Sequence, residues 1–177
     1  MRIPRWLVLV AVLVPATAQA DDHRADLYAG FGYANASHLW GLHEGYAWTL
    51  RDRGLLLAND LSILGDLSLH FGSHEGNTTT RVTYLVGPRW TIPTKEPHHK
   101  LLAHALVGGV NSNQGVPDKN DFALAFGGGW EYILRPATPN QTSEGFGVRF
   151  QVDYVVRVGD NENFPRVSGG LIYRFKK

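Results

Sequence analysis

Three side chains of this sequence, Ser62, His104 and Asp60, are of the types that form a hydrolytic triad. No spacing along the chain supports that arrangement. A histidine such as His104 can also act as a proton-active group, but it is more often simply hydrogen-bonded among polar neighbours, and we favour that interpretation. We therefore predict no catalytic residue.

Two histidine-containing segments have the residue types of a metal site. The first holds His70, His74 and Glu75, and the second is the adjacent pair His98-His99. Both are expected on loops, where nothing fixes the geometry that a metal ion needs. We interpret them as solvated polar residues, and we predict neither a metal ion nor a cofactor.

The elements that must position these residues are β-strands, because apolar and polar residues alternate with period two and 20 glycines are spread along the chain. Eight strands are predicted, at Asp26–Ala36, Trp40–Leu50, Leu55–Gly65, Arg81–Thr91, Lys100–Val110, Asp121–Leu134, Phe146–Val158 and Val167–Lys177. Three connections are predicted to face the outside, at Leu67–Thr80, Asn111–Asn120 and Gly159–Pro165. This pattern predicts an all-β chain that closes into a barrel.

The same alternation fits two kinds of eight-stranded barrel. In Phe146–Val158, the bulky Phe150 and Val152 alternate with Arg149 and Asp153. A soluble carrier of the lipocalin type would turn the bulky set inward, whereas a membrane barrel would turn it toward lipid. Strands of about ten residues suit a tilted crossing of a bilayer. Aromatic residues also lie near strand ends, as in interfacial girdles: Trp40, Trp48, Tyr84, Trp90, Phe122, Tyr132, Tyr154 and Tyr173.

We therefore predict an eight-stranded antiparallel transmembrane up-and-down β-barrel with a polar lumen. An arginine facing lipid at the midplane would cost about 2–4 kcal/mol, so the charged set must face inward. A hairpin between the sixth and seventh strands would place Glu131 near Arg149, which favours ion pairing over acid–base catalysis. The residues predicted to plug the lumen are Asp60, Arg81, Arg89, His104, Glu131, Arg149, Asp153, Arg157 and Arg174.

The N-terminus has the features of a secretory signal peptide. Arg2 and Arg5 precede a short apolar run, and Ala18-Gln19-Ala20 is a small-residue cleavage site. We predict a signal peptide over residues 1–20 and one domain over residues 21–177. With 17 basic and 16 acidic residues the charge is balanced, which gives no indication of nucleic-acid binding. The absence of cysteine excludes disulfides and thiolate metal sites.

Several short motifs follow one another along the chain: Gly41, Gly87-Pro88-Arg89, Ala103–Gly108, Phe126–Gly129, Asp153-Tyr154 and Ser168–Phe175. In their order and spacing they resemble those of the OmpA-like superfamily of small outer-membrane β-barrels. The resemblance covers essentially the whole mature chain. It implies an outer-membrane location, contact with outer-membrane lipid, and insertion by the assembly machinery, which would recognise the C-terminal strand ending in Tyr173 and Phe175.

The resemblance implies no single activity, and the chain departs from it in two ways. No peptidoglycan-binding domain follows the barrel, so wall anchoring is not expected. The first outer loop, about Asn35–Leu39, is short, and two turns at the other end are longer than usual. We expect a structural or surface-interaction barrel that is not an enzyme and has no wide pore; its surface partner is not specified.

Two alternatives stay open. A narrow channel for small solutes is one, although a crowded lumen argues against it. A lipid-A-modifying enzyme is the other; a deacylase of that type would need a His-x-Ser pattern, whereas His104 is followed two residues later by Leu106.

Overall fold

The computed structural model describes residues 24–35, 38–50, 61–74, 77–96, 98–113, 119–134, 145–159 and 163–176. Eight strands account for nearly all of them: β1 Arg24–Ala34, β2 Leu39–Thr49, β3 Leu61–His74, β4 Asn77–Pro93, β5 His99–Asn113, β6 Lys119–Ile133, β7 Gly145–Val158 and β8 Phe164–Lys176. Each strand pairs with its neighbours in chain order, and β8 pairs with β1 to close the barrel. The predicted all-β antiparallel barrel is confirmed. No helix in the described ranges is long and apolar enough to cross a membrane.

The stagger of the barrel follows from its register. A row of paired residues that starts at His99 on β5 passes through Leu171 and Glu44 and returns to β5 at Gly109, 10 residues further along the strand. With ordinary strand spacing and rise, this stagger over eight strands gives a tilt of about 40°. That tilt lies within the range of membrane β-barrels.

The third strand is the main correction to the predicted elements. It was expected at Leu55–Gly65, whereas β3 runs over Leu61–His74 and pairs with β4 down to His74 opposite Asn77. The predicted outer loop Leu67–Thr80 is therefore wrong, because outward Leu67 and Leu69 continue the alternation. Only residues 75–76 remain as the connection, and residues 51–60 lie outside the described part of the chain.

The two ends of the barrel have connections of different length. We call the end where β1 begins and β8 ends the lower end. The lower end carries the connections 50–60, 94–98 and 134–144. The upper end carries only 35–38, 75–76, 114–118 and 159–163, so the predicted loops Asn111–Asn120 and Gly159–Pro165 are also shorter than expected. Outer-membrane barrels more often have the longer segments outside.

Apolar side chains also fill part of the lumen. They are mostly aliphatic, with two aromatic rings among them, as expected for the side-chain-filled interior of an eight-stranded barrel. Those larger than alanine are Tyr28, Leu39, Leu64, Leu85, Leu102, Leu106, Val110, Ile133, Val155, Phe164 and Ile172.

Candidate functional site

The outer surface is apolar and the interior is charged. On β7, Phe150 and Val152 are 49% and 45% exposed, whereas Arg149 and Asp153 are buried. This polarity is the reverse of that in a soluble carrier, whose bulky residues would converge on a cavity. It is the pattern that a hydrocarbon solvent requires of a barrel.

Aromatic residues bound the apolar surface at two levels. On β2, Trp40 and Trp48 are both exposed and lie eight residues apart. At about 3.3 Å per residue and a tilt of about 40°, they are separated by roughly 20 Å along the barrel axis. Trp90 and Trp130 lie near the lower level and Phe122 near the upper one. This spacing matches an apolar band of about 25 Å between interfacial girdles.

The lower part of the lumen holds five charged residues, which we call the lower cluster. Arg89 Nη2 lies 2.5 Å from Asp26 Oδ2, and Arg174 Nε lies 2.7 Å from Asp26 Oδ1. Arg149 Nε donates to Glu131 Oε1 at 2.8 Å, and Arg174 Nη2 donates to Glu131 Oε2 at 3.0 Å. Arg174 therefore bridges both carboxylates. All oxygens of the two buried carboxylates are hydrogen-bonded, as buried charges require.

A second set, the central cluster, is built around Arg166. Its Nη1 lies 2.8 Å from Asp66 Oδ1 and its Nη2 lies 2.5 Å from Asp153 Oδ2. A histidine contacts each carboxylate from the other side. His43 Nε2 lies 2.5 Å from Asp66 Oδ2, and His104 Nε2 lies 2.7 Å from Asp153 Oδ1. These side chains come from β8, β3, β7, β2 and β5, so the network crosses the lumen.

The upper part of the lumen is held by two further arginines. Arg157 forms an ion pair with Asp121. Arg81 donates from Nε to Ser112 Oγ at 3.2 Å and stacks over the ring of Phe164, 4.5 Å from its centroid. Charged or cation–π contacts thus occupy the lumen from its lower to its upper end.

A glycine allows the central cluster to form. A Cβ added at Gly127 would lie 2.7 Å from His104 Nε2 and closer still to the Asp153 carboxylate. Any side chain at this inward position would displace the His104–Asp153 hydrogen bond. The glycine at this site is therefore required by a close approach of two polar groups across β6.

The structure places eight of the nine residues predicted for the polar network on the lumen side, and they are distributed over the lower, central and upper parts. The eight are Arg81, Arg89, His104, Glu131, Arg149, Asp153, Arg157 and Arg174. Asp60 lies outside the described residues. The network also contains Asp26, His43, Asp66 and Arg166, which the prediction did not include. The alternation on β1, β2 and β8 could have identified three of them, but Asp66 lies beyond the strand end that was predicted.

The residues considered for catalysis are not brought together. Ser62 Oγ accepts from Arg89 Nε at 2.9 Å and donates to the Arg89 carbonyl oxygen at 3.2 Å. His104 contacts Asp153, and its Nδ1 has no hydrogen-bond partner among the described residues. Because Asp153 occupies Nε2, a triad would need a hydroxyl at Nδ1. His104 and Asp153 therefore form a buried hydrogen-bonded pair, without the third member of a triad among the described residues.

Of the residues considered for metal binding, Glu75 lies outside the described part of the chain, and His70 and the His98-His99 pair lie at different heights of the barrel. His70 is buried in the lumen, and His98 Nδ1 lies 2.8 Å from the Ile133 carbonyl oxygen at the lower rim. Trp130 Nε1 donates to His99 Nδ1 at 3.0 Å. Within the described ranges, no three His, Asp or Glu residues are placed to hold a metal ion.

Comparison with known proteins identifies the fold. No family profile and no curated protein matches the sequence. Among solved structures, Neisserial surface protein A matches with a TM-score of 0.56 and 15% identity, over 88% of this chain and 97% of that one. Ail, the attachment invasion locus protein of Yersinia pestis, gives 0.54 and 14% over 88% and 100% of the two chains. The N-terminal barrel domain of Pseudomonas aeruginosa OprF gives 0.53 and 14% over 89% and 100%. The chain has the fold of the small eight-stranded outer-membrane β-barrels.

Proposed function

We propose that this protein is an outer-membrane barrel with a structural or surface-interaction role, exported by a cleaved signal peptide and inserted by the barrel assembly machinery. The observation that carries the proposal is the polarity of the wall. Exposed apolar residues such as Phe150 form a band between two aromatic levels, while five arginines of the described strands are buried inside and Arg174 is partly buried beside them. Such a surface is stable only in a hydrocarbon solvent.

The closed lumen supports a role without a wide pore. Arg166 joins Asp66 on β3 to Asp153 on β7, so a hydrogen-bonded bridge crosses the interior at mid-height. The lower cluster forms a second closure below it, where Arg174 bridges Asp26 and Glu131. An ion entering the lumen would have to break these buried pairs, each of which is costly to open.

A surface-contact role is supported by the upper rim and by the names of the structural relatives. One relative is a surface protein of Neisseria, another is an attachment protein, and the latter was also solved with a heparin analogue, sucrose octasulfate. In this chain the exposed rim is rich in uncharged polar groups, including Thr78, Asn113 and Asn120. With connections of at most five residues, contact with a partner would use this rim.

The buried positions of the candidate chemical groups support a role without catalysis. His104 and Asp153 lie inside the lumen, whereas a lipid substrate would approach the outer wall. Ser62 is occupied by Arg89. We therefore favour the structural or surface role over a lipid-A-modifying enzyme.

Membrane fractionation and gel migration test this proposal. The full-length chain, expressed in a Gram-negative host, should appear in the outer-membrane fraction and migrate differently on gels before and after heating in detergent, as folded barrels do. Recovery in the soluble periplasmic fraction would overturn the proposal. Release of acyl chains or headgroups from purified lipid A by the folded protein would overturn the non-catalytic part alone.

A further inference from the structure

Glu44 is a charged residue on the apolar outer wall. It lies on β2 with its side chain exposed, and its register partners are Ala29 on β1 and Leu67 on β3. Among the outward-facing positions of the eight described strands, Glu44 is the single Asp, Glu, Lys or Arg. Chance scatter of charge is therefore a poor explanation for it.

The depth of Glu44 follows from its own strand. Trp40 lies four residues above it and Trp48 four residues below, and both tryptophans are exposed at the two aromatic levels. Glu44 is thus equidistant from the girdles, about 10 Å along the barrel axis from each. If the barrel spans the outer membrane as proposed above, this carboxyl group lies at the bilayer midplane. An ionisable group at that depth indicates a contact site with a partner.

The surrounding wall offers Glu44 no counter-charge. Its neighbours on β2 are outward Leu42 and Tyr46, and no cation faces outward on any of the described strands. The group that satisfies the carboxyl must therefore be supplied from outside this barrel. We propose that it is supplied by a second copy of the chain, through a hydrogen bond between the two Glu44 carboxyl groups.

Geometry favours a second copy. Outer-membrane barrels insert with a single orientation, so the axis of a two-fold dimer must run along the membrane normal. Each residue near that axis then meets its own counterpart at the same depth. A carboxylic acid and a carboxylate, or two carboxylic acids, satisfy one another in hydrocarbon without any cation, since one O–H donates to the other oxygen.

The shape of the wall around Glu44 also suits close approach. Phe31 is 73% exposed, the highest value among the large apolar residues, and it projects beside Glu44 on β1. Beside Glu44 the wall is low, because its register partner Ala29 on β1 and the diagonal neighbour Gly65 on β3 have little or no side chain. Small residues beside Glu44 allow the same face of a second copy to approach closely. The proposed interface is therefore the outer face of β1, β2 and β3 around Glu44.

Single-cysteine cross-linking tests this inference, because the natural chain has no cysteine. Leu42→Cys keeps Glu44 intact and lies two residues away on the same outer face. Leu124→Cys is the matched control, since it also replaces an outward leucine but lies on β6, on the opposite side of the barrel. Both variants are oxidised in outer membranes with copper–phenanthroline, which enters the hydrocarbon region and joins neighbouring thiols as a disulfide, and folding is checked by heat-modifiable migration.

We expect a cross-linked dimer from Leu42→Cys and none from Leu124→Cys. Adding Glu44→Leu, which keeps the face apolar, should reduce the dimer by about tenfold or more. Only monomer from a folded, membrane-inserted Leu42→Cys protein would overturn the inference and leave the proposed function standing. Equal dimer with and without Glu44→Leu, or a cross-link to a protein of another mass, would also overturn it. Variants found only in the soluble fraction would instead overturn the membrane location.

Discussion

Arg166 on β8 reaches Asp66 on β3, three strands away around the barrel, with Nη1 2.8 Å from Oδ1. The same guanidinium contacts Asp153 on the adjacent strand β7. One side chain thus ties together two parts of the wall that share no backbone hydrogen bonds. Residues joined in this way resist separation of the strands and also obstruct the lumen.

Replacing Arg166 with methionine should lower the free energy of unfolding by about 3–5 kcal/mol, because Asp66 and Asp153 would be left as buried, uncompensated charges. Urea unfolding in detergent measures the change. The triple variant Arg166→Met, Asp66→Asn, Asp153→Asn should recover much of the loss. If Arg166→Met lowered the free energy of unfolding by no more than an exposed surface substitution does, this account of the central cluster would be contradicted.

Arginine substitutions on β7 test whether the outer face of the barrel contacts lipid. Val152→Arg places a charge on the outer face near mid-depth and should cost about 2–4 kcal/mol in lipid. Val158→Arg lies at the upper end of the same strand and should cost about 0–1 kcal/mol. Equilibrium unfolding in phospholipid vesicles gives both values. Equal costs at the two positions would argue against a membrane band between them.

Gly127→Ala should destabilise the barrel by about 1–3 kcal/mol, because the added methyl group overlaps the His104–Asp153 contact. Gly45→Ala is the control: its Cβ would meet neighbouring atoms at 3.5 Å, an ordinary contact, at another inward position. Thermal unfolding of the two purified variants compares them. If Gly127→Ala were as stable as the natural protein while Gly45→Ala was destabilised, the close approach of His104 and Asp153 at Gly127 would be refuted.

Planar bilayer recording should detect no steps of porin size from the natural chain, since both ionic clusters close the lumen. Arg166→Ala removes the central bridge and leaves two carboxylates, so any conductance that appears should be cation-selective. Reversal potentials in asymmetric salt measure the selectivity. Large steps from the natural protein would show that the lumen opens without any substitution.

Much of this architecture could be predicted from period-two alternation. Strand geometry alone predicts that Arg149 and Asp153 face the same side of β7. It also predicts that Glu131 pairs with Arg149 across the hairpin, and the structure shows both features. The central cluster could not be predicted in the same way. Arg166 and Asp66 are 100 residues apart, and their contact depends on closure and stagger, which alternation within one strand does not encode.

The upper end of β3 was missed for a different reason. Gly72 and the threonines after it have the composition of a loop, yet the register carries β3 to His74 and β4 from Asn77. Pairing with a neighbour overrode local preference there, as it often does in sheets. Alternation along β2 places Glu44 on the outer face, although a carboxylate there departs from the apolar composition that identifies that face.

If the upper rim is the surface-contact end, as proposed above, its connections of 35–38, 75–76, 114–118 and 159–163 offer a cell-surface protease at most five consecutive residues between strands. Cleavage requires a stretch of chain that can be drawn out of its ladder, and such stretches are usually long exposed tips. Intact cells should therefore keep this protein whole during enzymatic shaving that trims longer-looped neighbours. For the same reason, antibodies raised against short linear peptides from this end should recognise the native protein poorly.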